Sequence, residues 1–319
     1  MNVAPARIAT RGSRLALWQA HHVADLLRAA DPSREVELVE VSTVGDRVQS
    51  ETLASFGGFG IFTREVQKAV LDGRADIAVH SLKDLPTDIV EGLTLAAVPE
   101  RGDVGDALVL PQSSNTGSSA TGVTLHDLPQ AARIGTGSLR RRAQLLHIRS
   151  DLDLLEIRGN VETRLRKLDE GEYDALILAQ AGLRRLGLGD RISGELGPPE
   201  LLPAVAQGAL GLECRADDET TKSLLSDICD VTVLAAVTAE RAMLAELRAG
   251  CHAPVGAFTR QEADRLTIEG VVLSADGSER IVAEVTGSAD EAESLGRSLA
   301  EALRGLGADR LVKESQTDS

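Results

Sequence analysis

The chain has 319 residues, 43% hydrophobic and 26% charged, which supplies apolar material for packed cores and excludes wholesale disorder. Aromatic residues make up only 2% (four Phe, one Trp, one Tyr), so those cores rest on Val, Leu, Ile and Ala. A formal charge of −15 excludes a general binder of nucleic acid or anionic membrane, which needs a basic face.

At about 150 residues per domain the length implies two or three domains. The opening stretch MNVAPARIATRGSRLALWQA lacks the charged-then-apolar pattern of a secretory signal, and no apolar run reaches the ~18 residues of a membrane span. A cytoplasmic protein is expected, with neither membrane nor nucleic acid as partner. Cys214, Cys229 and Cys251 fit neither a disulfide framework nor paired zinc spacing, and no metal is expected.

In chain order, ARIAT (6–10) reads as a strand, after which Ser13 caps a helix through about Ala30. EVELVEVST (35–43) alternates as a strand packed on one face does. Thr63 begins a helix that Gly73 closes, and ADIAVHS (75–81) is a buried strand. After the crossover PERGDVGD (99–106) comes the strand ALVL (107–110), then the surface loop PQSSNTGSSATG (111–122). Strand–helix alternation resumes with ARIGTG into a helix from Ser138, DLLEIRG into a helix from Asn160, and DALILA (174–179) into another. GPPELLPAVAQGALGLECR (197–215) combines a proline break, a small-residue helix start and a strand. A long helix (232–249), strands near 266–272 and 280–286 turning at Asp276-Gly277, and a last helix (289–304) complete the pattern. Strands separated by helices imply parallel βαβ units, whose ligands sit at the carboxyl ends of the strands.

Those ends hold the candidate chemistry. Between 133 and 168 there are nine Lys and Arg against four Asp and Glu, a local +5 in a chain whose remainder carries −20. GTGSLRRR sets Thr136 and Ser138 at a strand-to-helix turn, and Arg140 and Arg141 in the first helical turn, where a cation is unfavourable unless an anion is bound. Consecutive residues point about 100° apart on a helix, which leaves Arg142 solvated. Arg158, Arg164, Arg184 and Arg185 follow other strands, and guanidiniums so grouped suit capture of several carboxylates or phosphates. GTGSLR lacks the third glycine of a dinucleotide fingerprint and no GxxxxGK[ST] occurs; spacing alone leaves carboxylate and phosphate both open. HSLKDLP places Lys83 and Asp84 at the end of a buried strand, while His80 reads as packed within it. Cys251, in the loop RAGCHAP, is the candidate nucleophile or attachment point; Cys214 and Cys229 read as inert.

Together IATRGSRLALWQA, RADIAVHSLKDLP, GTGSLRR, IRGNVETRL, LPAVAQGA, TAERAML and GCHAPVGA resemble the porphobilinogen deaminase family, in order, from about residue 6 to 312. The resemblance implies two α/β lobes with mixed, mainly parallel sheets, like those of periplasmic binding proteins, and a smaller C-terminal α/β domain, with the active site between the lobes. The expected division is 1–101 with 207–226, then 104–204, then 228–313, with a tail at 314–319. It implies an enzyme joining four porphobilinogens head to tail, with loss of ammonia, on one dipyrromethane cofactor held as a thioether by Cys251. Asp84 then matches the catalytic carboxylate. Lys83, Ser138, Arg140, Arg141, Arg158 and Arg164 match cofactor binders, and Arg11, Ser13, Gln19, Arg185 and Gln207 match substrate binders. A monomer is expected.

The chemistry agrees. Each pyrrole carries two carboxylates, so a growing chain needs an arginine-rich site. Loss of ammonia leaves a cation that a carboxylate can stabilise. One departure from the family pattern is LASFGGFG, with Ser55 and Phe59 where lysines are usual; Gly57, Gly58 and Gly60 still allow a mobile lid. The alternative class is a non-catalytic two-lobe anion-binding protein, which neither the expected lack of a leader nor the Cys251 loop favours.

Overall fold

The computed structural model describes residues 4–41, 63–112, 121–250 and 253–317. The glycine loop with Ser55 and Phe59, most of the 111–122 loop, and Cys251 with His252 lie outside the described residues. The chain forms two compact units, Met1–Arg101 with Ala209–Leu234, and Gly102–Gly208 with Ala235–Ser319.

In the first unit β1 (Ala6–Arg11) leads into α1 (Arg14–Ala30), whose start is fixed by Ser13 Oγ accepting the Ala16 N–H at 3.3 Å. β2 (Val36–Val41), α2 (Arg64–Leu71), β3 (Ile77–Ser81), a 3-10 turn at Leu82–Asp84 and β4 (Leu93–Ala97) follow. Both β2 and β3 lie parallel to β1. Gly73, at φ +70°, ends α2 as its sequence position suggests.

The second unit repeats this scheme with β5 (Asp106–Val109), β6 (Arg133–Gly135), α3 (Leu139–Ile148), β7 (Asp153–Leu155), α4 (Val161–Asp169), β8 (Ala175–Ala179), α5 (Gln180–Arg185) and β9 (Gly194–Leu196). Its sheet order is β7-β6-β8-β5-β9, with β6 parallel to both β7 and β8 and β5 antiparallel to both β8 and β9. The chain returns to the first unit as β10 (Leu210–Arg215), antiparallel between β3 and β4, to give β2-β1-β3-β10-β4. After α6 (Glu219–Ser226) and α7 (Val231–Glu246), β11 (Val255–Glu262), β12 (Arg265–Leu273) and β13 (Arg280–Ser288) form a three-stranded antiparallel sheet. α8 (Ala292–Gly305) and α9 (Ala308–Thr317) complete the described chain.

Each five-stranded sheet is packed on both faces. In the first unit Ile8, Ile77, Val79 and Leu212 meet Ala20, Val23 and Leu27 of α1, while Ala9 and Ala78 meet Val66 and Val70 of α2. The alternation along β3 sorts its residues between those two cores. In the second unit Ile134, Ile177 and Leu145 form one core and Leu176, Leu178, Ile157 and Leu168 the other. The third sheet joins that unit through Val271 and Leu273 packed on Ala143 and Leu202.

The structure departs from the sequence reading in three places. No helix follows Pro199: Ala206 and Gly208 have φ +58° and +86°, which no α-helix accommodates. β4, β9 and β11 are strands the pattern did not signal, each an edge of its sheet. Helix α9 carries regular structure through Thr317, with Ser315 buried.

Candidate active site

In the first unit the carboxyl ends of neighbouring parallel strands β1 and β3 open a pocket. Arg11 ends β1, Ser13 and Gln19 come from α1, and His80, Ser81 and Asp84 come from β3 and its turn. Thr10, buried, donates its hydroxyl to Ala16 O at 3.1 Å and so ties the end of β1 to the first turn of α1. Gln19 Nε2 donates to Ser81 Oγ at 2.7 Å, which locks α1 to the end of β3. Arg11 and Lys83 are half-buried and Asp84 is exposed. The pocket therefore combines a guanidinium and a helix N-terminus, both suited to a carboxylate, with a carboxylate suited to a cation. Behind it His80 Nε2 stands 2.9 Å from Glu213 Oε2, and Gln67 Nε2 donates to that oxygen at 2.9 Å. All three side chains are buried, which agrees with the reading of His80 as a packed strand residue.

In the second unit Ser138 caps α3, its Oγ accepting the Arg141 N–H at 3.4 Å. The two arginines that follow are buried, and the anion beside them is Asp106 of β5. Arg140 Nη2 donates to Asp106 Oδ2 at 2.8 Å and Arg141 Nη2 to Oδ1 at 2.7 Å. Their Nη1 atoms donate to Leu202 O at 2.7 Å and Ile177 O at 2.9 Å. Gln207 Nε2 adds a third bond to Asp106 Oδ1, at 2.8 Å. Burial alone would push the Asp106 carboxyl up, but the Arg140 and Arg141 charges and their hydrogen bonds outweigh it and hold it well below the usual carboxylate range. Two guanidiniums against one carboxylate leave an excess positive charge, and the Nε atoms of Arg140 and Arg141 are buried without a hydrogen-bond partner.

The other arginines are more open. Arg158 is exposed and meets Glu156 at 2.6 Å, Arg164 Nε donates to Gly159 O at 2.8 Å, and Arg185 Nη2 to Gly208 O at 2.6 Å. Arg184 is paired with Asp103 and Glu195, and Arg142 is exposed as its helical position requires.

The whole chain is similar to known proteins. Residues 6–223 match the family model described as porphobilinogen deaminase, dipyromethane cofactor binding domain, and 234–305 match the porphobilinogen deaminase C-terminal domain. The chain is 52% identical over 308 residues to a porphobilinogen deaminase of Xanthomonas axonopodis pv. citri (strain 306), covering 97% of this chain and 98% of that one. It is 51% identical to the enzyme of Xanthomonas oryzae pv. oryzae (strain PXO99A), covering 96% and 98%. The chain belongs to the porphobilinogen deaminase family.

As in that family, its activity is that of a porphobilinogen deaminase, or hydroxymethylbilane synthase, of tetrapyrrole biosynthesis, and it carries the dipyrromethane-binding domain. Solved structures with a related layout include the periplasmic VFT2 domain of Bordetella pertussis BvgS (15% identity, 70% of this chain and 86% of that one, TM-score 0.40). Another is a putative periplasmic sulfonate-binding protein from Methylobacillus flagellatus KT (16%, 75% and 67%, TM-score 0.38). Among the described residues no helix is long and apolar enough to cross a membrane.

The porphobilinogen deaminase motifs bring Arg11, Ser13, Gln19 and Asp84 to one pocket and Arg140, Arg141 and Gln207 to one carboxylate. Cys251 lies outside the described residues. Sequence reasoning missed Asp106 and Glu213. Their signal was a lone acid beside the apolar residues of a strand, in DALVL and in GLECR.

Proposed function

We propose that the first unit's pocket takes incoming porphobilinogen and that Asp84 is its catalytic carboxylate. Arg11 and Ser13 would bind the acetate or propionate of the substrate, and Gln19 would fix the pocket wall through its bond to Ser81. Asp84 would stabilise the cation left when ammonia departs and move the proton released on condensation. The observation that carries this reading is the pocket itself, in which Arg11, the capped start of α1 and Asp84 converge.

Lys83, Ser138, Arg140, Arg141, Arg158 and Arg164 would hold the dipyrromethane, with Cys251 as its thioether partner. The buried excess charge of the Arg140–Arg141–Asp106 cluster and its two unpaired Nε atoms fit an acidic group of that kind. When bound, dipyrromethane supplies a tethered pyrrole nucleophile, which turns a bimolecular condensation into an intramolecular one. Arg185 and Gln207 would receive carboxylates of the growing chain. The reading includes four porphobilinogens joined per product, three domains at 1–101 with 207–226, 104–204 and 228–313, and a cytoplasmic monomer.

Replacing Asp84 tests the assignment. Asp84→Asn should fold and carry dipyrromethane while its rate of hydroxymethylbilane formation falls about a hundredfold or more, the usual effect of losing one preorganised electrostatic contact. Retention of more than about a tenth of the rate, on that same scale, would remove Asp84 from the chemistry.

A further inference from the structure

The Asp106 side chain touches three of the residues assigned above to ligand binding. Its Oδ2 accepts from Arg140, and its Oδ1 accepts from Arg141 and from Gln207, at 2.7–2.8 Å. It is fully buried and opens β5, where it pairs with Ala179 of β8 and Leu196 of β9. Its backbone oxygen also accepts from Gln180 Nε2 at 3.0 Å. The carboxylate therefore stands on an interior strand held on both sides.

Arg140 and Arg141 have no such rigidity of their own. As consecutive helical residues they point about 100° apart, and as like charges in a buried place they repel. One oxygen of Asp106 on each guanidinium draws the two together, and Leu202 O and Ile177 O fix the second nitrogen of each fork. A buried charge without its own counter-charge costs stability. This cluster keeps a net positive charge and two buried unpaired Nε–H donors. We infer that Asp106 is a positioning residue, which orients Arg140 and Arg141 as a preformed receptor for a carboxylate of the dipyrromethane. The inference rests on the reading that those two arginines hold that group.

The test compares purified, folded Asp106→Asn and Asp106→Glu with wild type by intact mass, which reads the fraction of chains carrying dipyrromethane. Leu125→Ala, a core change in the same unit away from the arginines, is the control for lost stability. Asp106→Asn should carry the group in fewer than one chain in ten while the control stays near wild type. Asp106→Glu, which restores the charge on a longer arm, should fall between. If the Asn variant does not fold, the Glu variant decides: a loaded fraction lowered at least threefold supports the inference. Wild-type loading in either folded variant overturns it, as does an equal loss in Leu125→Ala. Arg140→Leu and Arg141→Leu separate the two claims. Poor loading there with normal loading in the Asp106 variants defeats only the positioning role, whereas normal loading in the arginine variants defeats the underlying reading as well.

Discussion

The two described cysteines, Cys214 and Cys229, differ in the one property thiol chemistry requires, access to the thiolate. Cys214 is fully buried in β10, and burial, with the Asp218 carboxylate adding to it, pushes its thiol up to about 11. Three units above pH 8, on the order of one Cys214 in a thousand is ionised there, in a place no reagent reaches. Cys229 is half-buried and packs against the core of the first unit. A tethering role for Cys251 therefore makes a mass prediction with an internal control. Native alkylation at pH 8 should leave Cys214 unmodified, and the digested peptide that contains Cys251 should carry the dipyrromethane mass. An alkylated Cys251 peptide from loaded protein would move the tether elsewhere.

At the scale of elements, local chemistry was readable and long-range contact was not. Ser13, Ser138 and Asn160 were legible as helix starts because an N-cap needs only its own next turn, and each side chain accepts the backbone N–H three residues on. The edge strands β4, β9 and β11 were not legible, since their pairing partners decide them. The helix expected after Pro199 gave way for the same kind of reason: the Gly208 carbonyl accepts from the distant Gly102 N–H and Arg185 Nη2, and its backbone passes against Gly102 and Asp103. Most site residues were reached through family motifs rather than spacing; Asp106 was hidden because burial of an acid shows only when its two arginines arrive. Two glycines make this contrast measurable. A Cβ on Gly73 would meet nothing within 4 Å, so Gly73→Ala should cost only the left-handed backbone, about 1 kcal/mol. A Cβ on Gly208 would lie 2.7 Å from Asp103 O and closer still to Gly102 O, with the same backbone cost, so Gly208→Ala should lose well over 2 kcal/mol, roughly a core overpacking plus the turn. Urea unfolding of the pair checks the order; equal losses would mean that the 197–208 segment yields freely.

For the whole molecule, a chain of net −15 nevertheless buries two guanidiniums, Arg140 and Arg141, against the single carboxylate of Asp106. The stability of that arrangement has a defined pH dependence. An unfolded Asp titrates near 3.9, whereas Asp106 in the fold stays ionised well below that value because Arg140 and Arg141 outweigh its burial. The folded chain therefore binds fewer protons at this position than the unfolded chain as the medium becomes acidic. The stabilisation is complete above about pH 4–5 and is lost progressively as pH falls toward the depressed folded value. One proton's difference corresponds to a slope of about 1.4 kcal/mol per pH unit. Other paired carboxylates, such as Asp151 and Asp174, add to the acid limb of the wild type, so the informative quantity is a difference between proteins. Asp106→Asn should be less stable than wild type at pH 7, and the gap should narrow between about pH 4 and pH 2, by close to one proton's slope. Because the pair is buried, 0.5 M salt should leave the gap nearly unchanged, while it weakens exposed pairs such as Arg166–Glu170. Urea unfolding at pH 7, 4, 3 and 2.5, with and without salt, measures both effects. A gap constant across that range would mean that Asp106 binds the same number of protons folded and unfolded, so that the two arginines do not hold it ionised.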